Sequence, residues 1–292
     1  MTPTPPLAVD LTRFITTLQS RNRSQATIRA YASDLEQFTT WLGATNAAVH
    51  SANDVQRVDI IEFLAELGRR DVTGVSRARK LAALREFFRC LEDEGVIAKA
   101  PTAGVATPKR ERPGRAFLRS DEYSRMLSLA GGNPRDYAIL QVFLQTGVRV
   151  SELCELRVDD VDLREGTLVI AAGKGGVGRT VELEKKGIQA IRSWLTLRPT
   201  TASDRLFLNY TGESISERGV RKLVTKYRDA AGITKKASCH SLRHTFATHK
   251  AEAGVSPFQL KEWLGHASLE TTQIYVHLAR KNARKVMEAT SL

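Results

Sequence analysis

The chain has 292 residues, room for one large domain or two ordinary ones, and its 42% hydrophobic and 26% charged content is that of a globular protein and excludes a disordered one. No apolar run nears the roughly 20 residues that cross a bilayer, and the start MTPTPPLAVD lacks the regions of a signal peptide; three distant cysteines (Cys90, Cys154, Cys239) argue against a disulfide framework or a clustered zinc site, so a cytoplasmic protein is expected. The formal charge of +12, its excess in a mid-chain segment and the C-terminal part, points to a polyanionic partner.

The first hundred residues read as helices. Ile28, Tyr31, Leu35, Phe38, Trp41 and Leu42 form one apolar stripe at the helical period, with Ser24 as its N-cap. Ile60, Phe63, Leu64 and Leu67 form a second. Leu81, Leu84, Phe87, Phe88 and Leu91 form a third, which Gly95 ends. Arg77, Lys80, Arg85 and Arg89 interleave with it, as either a solvated face or a phosphate-facing one. Residues 106–117 read as a linker between a helical domain, 1–105, and a second domain, 118–292. Pro108, Pro113 and Gly114 break helices there, and Lys109, Arg110, Arg112 and Arg115 make it basic. It is either a solvated hinge or a strap along a phosphate backbone.

Helix starts follow at Ser120 with Asp121 and Glu122, and at Asn133-Pro134. Residues 167–170 and 180–183 predict a β-hairpin around a glycine-rich turn. Ser256-Pro257-Phe258-Gln259 predicts a capping box, and Gly265 closes that helix. The expected fold is mainly α with a small β-hairpin or sheet, an α+β second domain.

The glycine-rich stretch 173–180 imitates an ATPase phosphate loop. Such a loop must follow a strand and open a helix, with lysine before its threonine. Here Arg179 precedes Thr180, and an alternating strand-like run follows, so the motif is rejected in favour of a hairpin turn.

The stronger signal is dispersed. Arg149 and Glu152 lie in TGVRVSEL, Lys174 at the hairpin tip, and His240, Arg243 and His244 in HSLRH, which sets His240 and Arg243 on one helix face. His266 follows Leu264-Gly265, and Tyr275 comes nine residues later. Two arginines, a lysine, two histidines and a tyrosine suit phosphoryl transfer without a metal, because arginines clamp phosphate oxygens and tyrosine can form a phosphoester. Each has a plainer reading as well: a local ion pair for Arg149 with Glu152, a solvated lysine, buried histidines, a core tyrosine. For Glu152 the expectation is a structural role, orienting Arg149. His244 is favoured as structural, and His249 and His277 as structural or surface groups.

In those six contexts, in that order, the chain resembles a tyrosine recombinase of the phage integrase family, close to the Xer type. Segments 27–42 and 76–91 resemble that family's helical core-binding (SAM-like) domain. The resemblance implies two domains closing as a C-shaped clamp on double-stranded DNA at an inverted-repeat core site. It implies a homotetramer, with a second recombinase or an accessory activator left open, no membrane partner and no cofactor. Tyr275 would be the nucleophile that forms a 3′-phosphotyrosyl link, with exchange through a four-way junction. Arg149 and Arg243 would bind the non-bridging oxygens and Lys174 would protonate the leaving oxygen. His240 would assist deprotonation of the tyrosine, and His266 would bind phosphate or order Tyr275. Glu152 and His244 would support them, and Arg77, Lys80, Arg85, Lys109, Arg110 and Arg112 would contact DNA. Resolution of replicon or chromosome dimers, or of mobile-element cointegrates, is the expected role. Integration of a phage or mobile element, and a non-catalytic DNA-binding protein on the same fold, are the alternatives; a type IB-like topoisomerase is disfavoured by the compact N-terminal domain. Neither an arm-binding domain ahead of residue 10 nor a long insertion between Arg243 and Tyr275 is expected, so a simple core-site recombinase is the expectation. Lys250 stands where relatives carry an apolar residue, so local packing or its exposure should differ. The basic tail 278–292 would dock on a neighbouring protomer.

Overall fold

The protein is described here by a computed structural model that covers residues 7–46, 48–109, 117–171 and 178–265. The expectations for Arg110, Arg112, Lys174, His266, Tyr275, His277 and the tail 278–292 lie outside these residues. The chain divides into two compact units, Met1–Pro113 and Gly114–Leu292.

Among its described residues the first unit holds four α-helices: α1 (Leu7–Ser20), α2 (Gln25–Thr45), α3 (Arg57–Arg69) and α4 (Gly74–Asp93). Their starts are set locally. Ser24 accepts the Thr27 amide at 3.1 Å, and Asp59 accepts the Gln56 amide at 2.7 Å, so donors that have no partner within the helix are satisfied by side chains. Thr73 caps α4, which begins at Gly74, before the apolar stripe that opens at Leu81. Gly95, at φ 68°, follows its end. Helix α1 is an addition to the three stripes. Its own face, Leu11, Phe14 and Leu18, carries the same helical spacing. The stripes meet in one core where Phe38 lies edge-on to Phe63, with ring centres 5.2 Å apart, and Phe14 lies edge-on to Phe87 at 5.4 Å. Tyr31 and Trp41 pack at its margin.

Lys80 departs from its expected phosphate-facing role. It is 5% exposed, and its Nζ donates to Asp34 Oδ1 at 2.7 Å and to Gln37 Oε1 at 2.8 Å. Asp34 is itself buried and also pairs with Arg79. The lysine therefore neutralises a buried carboxylate on α2 instead of facing solvent. Arg85 is half-buried and donates to the Thr107 hydroxyl and the Val105 carbonyl, as Arg57 does to the Gly104 carbonyl. These two arginines fasten the segment that leaves the bundle. Arg77 is half-buried beside Gly68, and Lys109 is exposed.

The second unit contains α5 (Ser120–Ala130), α6 (Pro134–Thr146) and α7 (Val150–Glu155). A sheet of β1 (Val161–Asp162), β2 (Thr167–Ile170) and β3 (Arg179–Glu182) follows, then α8 (Lys185–Leu197), α9 (Glu217–Ala230), α10 (Cys239–Glu252) and α11 (Pro257–Leu264). The predicted hairpin is present, with Thr167 opposite Glu182 and Ile170 opposite Arg179. The two-residue strand β1 extends it to three antiparallel strands in the order β1-β2-β3. Because Arg179 opens a strand and not a helix, the phosphate-loop reading stays excluded. Asn133 caps α6 by accepting the Asp136 amide at 3.0 Å, with Pro134 at the first helical position. Helix α6 is buried on several sides, packed against α5, α8 and α10. Ser256 caps α11, but the full capping box is not formed: the Gln259 side chain turns to Glu262. Lys250 is one-third exposed and pairs with Glu184 at 3.2 Å.

Removing one partner of a buried ion pair leaves the other without its counter-charge, which costs about 3–5 kcal/mol. Asp34→Ala strands Lys80, whereas Lys80→Met leaves Asp34 still paired with Arg79. Asp34→Ala is therefore expected to destabilise the first unit more than Lys80→Met. Hydrogen exchange of the α2 and α4 amides would measure both losses, and equal or negligible losses would contradict this account.

Candidate active site

The site is assembled around the end of a short helix. Helix α11 leaves its last carbonyls without intrahelical partners. The Gly265 amide, in a left-handed turn at φ 59°, reaches the carbonyls of Lys261 and Glu262. The next three are each met by an arginine from another part of the chain. Arg179 Nε donates to the Trp263 carbonyl at 2.6 Å, Arg243 Nη2 to that of Leu264 at 2.6 Å and Arg149 Nη2 to that of Gly265 at 3.0 Å. Cations at a helix C-terminus also oppose the negative end of its dipole.

Each arginine arrives by a distinct local route. Arg149 caps α7, two residues after Gly147 ends α6. Gly147 has φ 61°, and a Cβ on it would lie 2.5 Å from the Phe246 ring and 3.0 Å from Leu264, so glycine is needed both for the turn and for close packing against α10 and α11. Arg243 lies one turn into α10, is 5% exposed, and sends Nη1 to the Gly147 carbonyl at 2.7 Å. Arg179 opens β3 on the same face as the buried Val181, and its side chain is only 7% exposed.

Glu152 joins two of them. Its Oε1 accepts Arg149 Nη1 at 2.7 Å and Arg179 Nη1 at 3.2 Å; its Oε2 accepts the Arg149 backbone amide at 2.8 Å and Arg179 Nη2 at 2.8 Å. Burial alone would raise its pKa. The bonds from Arg179, the Arg149 amide and the charge of Arg179 outweigh that and hold it at about 2. One carboxylate among three guanidiniums leaves the cluster cationic. Arg149 remains 41% exposed, and among the described residues it uses two of its five side-chain donors. The arrangement can therefore receive an anion such as a phosphodiester.

The described candidates separate into two groups. Arg149, Glu152 and Arg243 come together. His240 sits exposed in the first turn of α10, on the helix that carries Arg243. His244 is half-buried and packs edge-on to Phe117. His249 hydrogen-bonds the Leu118 carbonyl through Nε2 at 3.0 Å and lies edge-on to Tyr123. Arg179 was missing from the expected set. Its signal was a charged residue on the inward face of an alternating strand, which is costly unless paired.

A family model described as the phage integrase family matches residues 116–282, and one described as the phage integrase N-terminal SAM-like domain matches residues 11–95. The chain is 35% identical over 291 residues to the tyrosine recombinase XerC of Thermodesulfovibrio yellowstonii, covering 95% of this chain and 94% of that protein. It is 32% identical over 290 residues to the tyrosine recombinase XerD of Listeria monocytogenes, covering 96% of each. Among solved structures it resembles a lambda integrase tetramer bound to a Holliday junction, with a TM-score of 0.79 and 21% identity over 94% of this chain and 78% of that one. At that identity the likeness is one of fold.

The depressed pKa of Glu152 makes stability depend on pH. A carboxyl that binds its proton less readily when folded adds stability above its ordinary pKa of 4.5, and that stability is lost as pH falls toward about 2. The shift corresponds to about 3 kcal/mol at neutral pH. Glu152→Gln should therefore destabilise the protein by roughly that amount at pH 7, and by half or less at pH 3. Denaturant unfolding of both forms at the two pH values checks this; a difference independent of pH would refute it.

Proposed function

The chain belongs to the phage integrase family and is a tyrosine site-specific recombinase, and from that premise we propose that Tyr275 cuts DNA at a phosphate held by Arg149 and Arg243. The observation that carries this reading is the convergence of these two arginines, from α7 and α10, on successive carbonyls immediately before His266. Two guanidiniums so placed would bind the non-bridging oxygens and stabilise the charge that builds in the transition state.

The Tyr275 oxygen would attack phosphorus and form a 3′-phosphotyrosyl link as the bond to the 5′-oxygen breaks. Lys174 would protonate that leaving oxygen, and His240 would take the phenol proton, since a phenol of pKa near 10 is a poor nucleophile at neutral pH. His266 would hydrogen-bond the phosphate or order Tyr275. Attack by the 5′-hydroxyl of the partner strand would then rejoin the DNA. The bond energy stays in the phosphotyrosine, so neither nucleotide nor metal is consumed.

Two such exchanges would pass through a four-way junction in a homotetramer on two inverted-repeat core sites; the lambda integrase tetramer bound to a Holliday junction supports this by fold. A second recombinase or an accessory activator would fit the same scheme. The helical unit, 1–105, would grip the core site. Lys109, Arg110 and Arg112 of the linker, with the half-exposed Arg77 and Arg85, would contact phosphates. Lys80, committed to Asp34, leaves this set. The tail 278–292 would dock on a neighbouring protomer. The biological role would be resolution of replicon or chromosome dimers or of mobile-element cointegrates; integration of a phage or mobile element would use the same chemistry. Three buried free thiols fit a reducing cytoplasm.

Covalent capture tests the chemistry. Purified protein incubated with fragments of its source DNA, including the sequence flanking its own gene, should yield denaturation-resistant adducts. They should form equally in EDTA and be absent with Tyr275→Phe. Specific DNA retention without any adduct would refute the assignment of Tyr275.

A further inference from the structure

We propose that Arg179 is a positioning residue for this reaction: through Glu152 it fixes the guanidinium of Arg149, and through the Trp263 carbonyl it fixes the end of α11 from which the chain runs on to His266 and Tyr275. The proposal rests on the roles given above to Arg149 and Tyr275.

Arg179 stands on the inward face of β3, where a charge is unfavourable unless fully engaged. Its three nitrogens are all engaged. Nη1 and Nη2 grip the two oxygens of Glu152 side by side, and Nε takes the Trp263 carbonyl. The planar fork therefore sets the plane of the Glu152 carboxylate, whose terminal torsion is otherwise soft. The outer lone pairs of that carboxylate hold Arg149 twice, at its backbone amide and at Nη1. Arg179 thus acts on the site through Glu152, setting the angle at which Arg149 presents its remaining donors.

It also spans three segments. Its strand begins five residues after Lys174, its carboxylate partner belongs to α7, and its carbonyl partner ends α11. Gly265 fits this contact closely, because a Cβ there would lie 2.8 Å from Arg179 Nη1. Lysine could keep the charge but could not hold a carboxylate edge and a carbonyl at once.

A purely structural arginine would change stability and leave the chemistry of folded enzyme alone. A positioning arginine predicts more. Arg179→Gln removes the strongest hydrogen bonds and the charge that keep Glu152 ionised, so burial pushes the carboxyl upward. Carbon-13 NMR of glutamate carboxyls in the full-length protein without DNA reads this directly. In the wild type Glu152 should show no protonation step between pH 8 and pH 4, whereas in Arg179→Gln its titration should move to higher pH than in the wild type.

The rate of adduct formation on DNA fragments captured by the wild type reads the consequence. Arg179→Gln should lose about 100-fold in rate, the scale of a small misplacement of a catalytic group, and its rate should fall further as pH drops through the new Glu152 midpoint. The DNA concentration for half-saturation should stay within about threefold, since the phosphate contacts that set affinity remain. Arg179→Lys should recover about tenfold of the lost rate, because the charge survives without the fork. A wild-type rate in folded Arg179→Gln or Arg179→Lys, or an unchanged Glu152 titration, overturns the proposal. Absence of adducts with the wild type would instead overturn the assignment of Tyr275, and the NMR titration would still decide the link between Arg179 and Glu152.

Discussion

Everything in the candidate site depends on how one helix end is satisfied. Three consecutive carbonyls at the close of α11 need donors, and the fold supplies three guanidiniums from α7, β3 and α10. Arginine suits this better than lysine, because one planar group can cap a carbonyl and still offer donors elsewhere. Burial of Leu260 and Leu264 against Phe246 and Ala247 holds α11 on α10, and Gly147 lets α6 end directly beneath them. Packing thus brings the helix end and the arginines together, and hydrogen bonding sets their angles.

Three nearby cations repel one another, so the cluster needs a counter-charge within the protein. Glu152 provides it, and its four accepted bonds explain why a largely buried carboxyl stays ionised to about pH 2. Asp34 plays the same part in the helical unit, between Lys80 and Arg79, but there the charges balance more nearly and the lysine is closed off from solvent. The two clusters share their chemistry and differ in surplus: Asp34 faces one buried lysine and the exposed Arg79, whereas Glu152 stands among three guanidiniums, one of them the partly exposed Arg149.

Features fixed by neighbours in sequence were legible beforehand. Ser24, Asn133-Pro134 and Ser256 announce helix starts because a cap reaches only two or three residues along the chain. The hairpin was legible from alternation, and Gly95 and Gly265 from the left-handed turns that end helices. Lys80 misled because helical periodicity says which residues lie near a core, not which charged one has a partner 46 positions away. Arg179 was passed over for the same reason. Its partners lie 27 and 84 residues distant, and only the tertiary structure reveals that an arginine in a strand meets the carboxylate of one helix and the carbonyl of another.

The split between Arg149 and Arg179 has a functional logic. Arg149 keeps exposed donors that could meet a phosphate, and Arg179, which holds Arg149 through Glu152, spends its donors inside the protein. Arg149 is 41% exposed with two side-chain bonds to described residues, while the side chain of Arg179 is 7% exposed with all three nitrogens bonded. On the proposed chemistry, a phosphate arriving at Arg149 would meet the donors that Glu152 and Gly265 leave unused, while Arg179 spends its nitrogens on Glu152 and the Trp263 carbonyl.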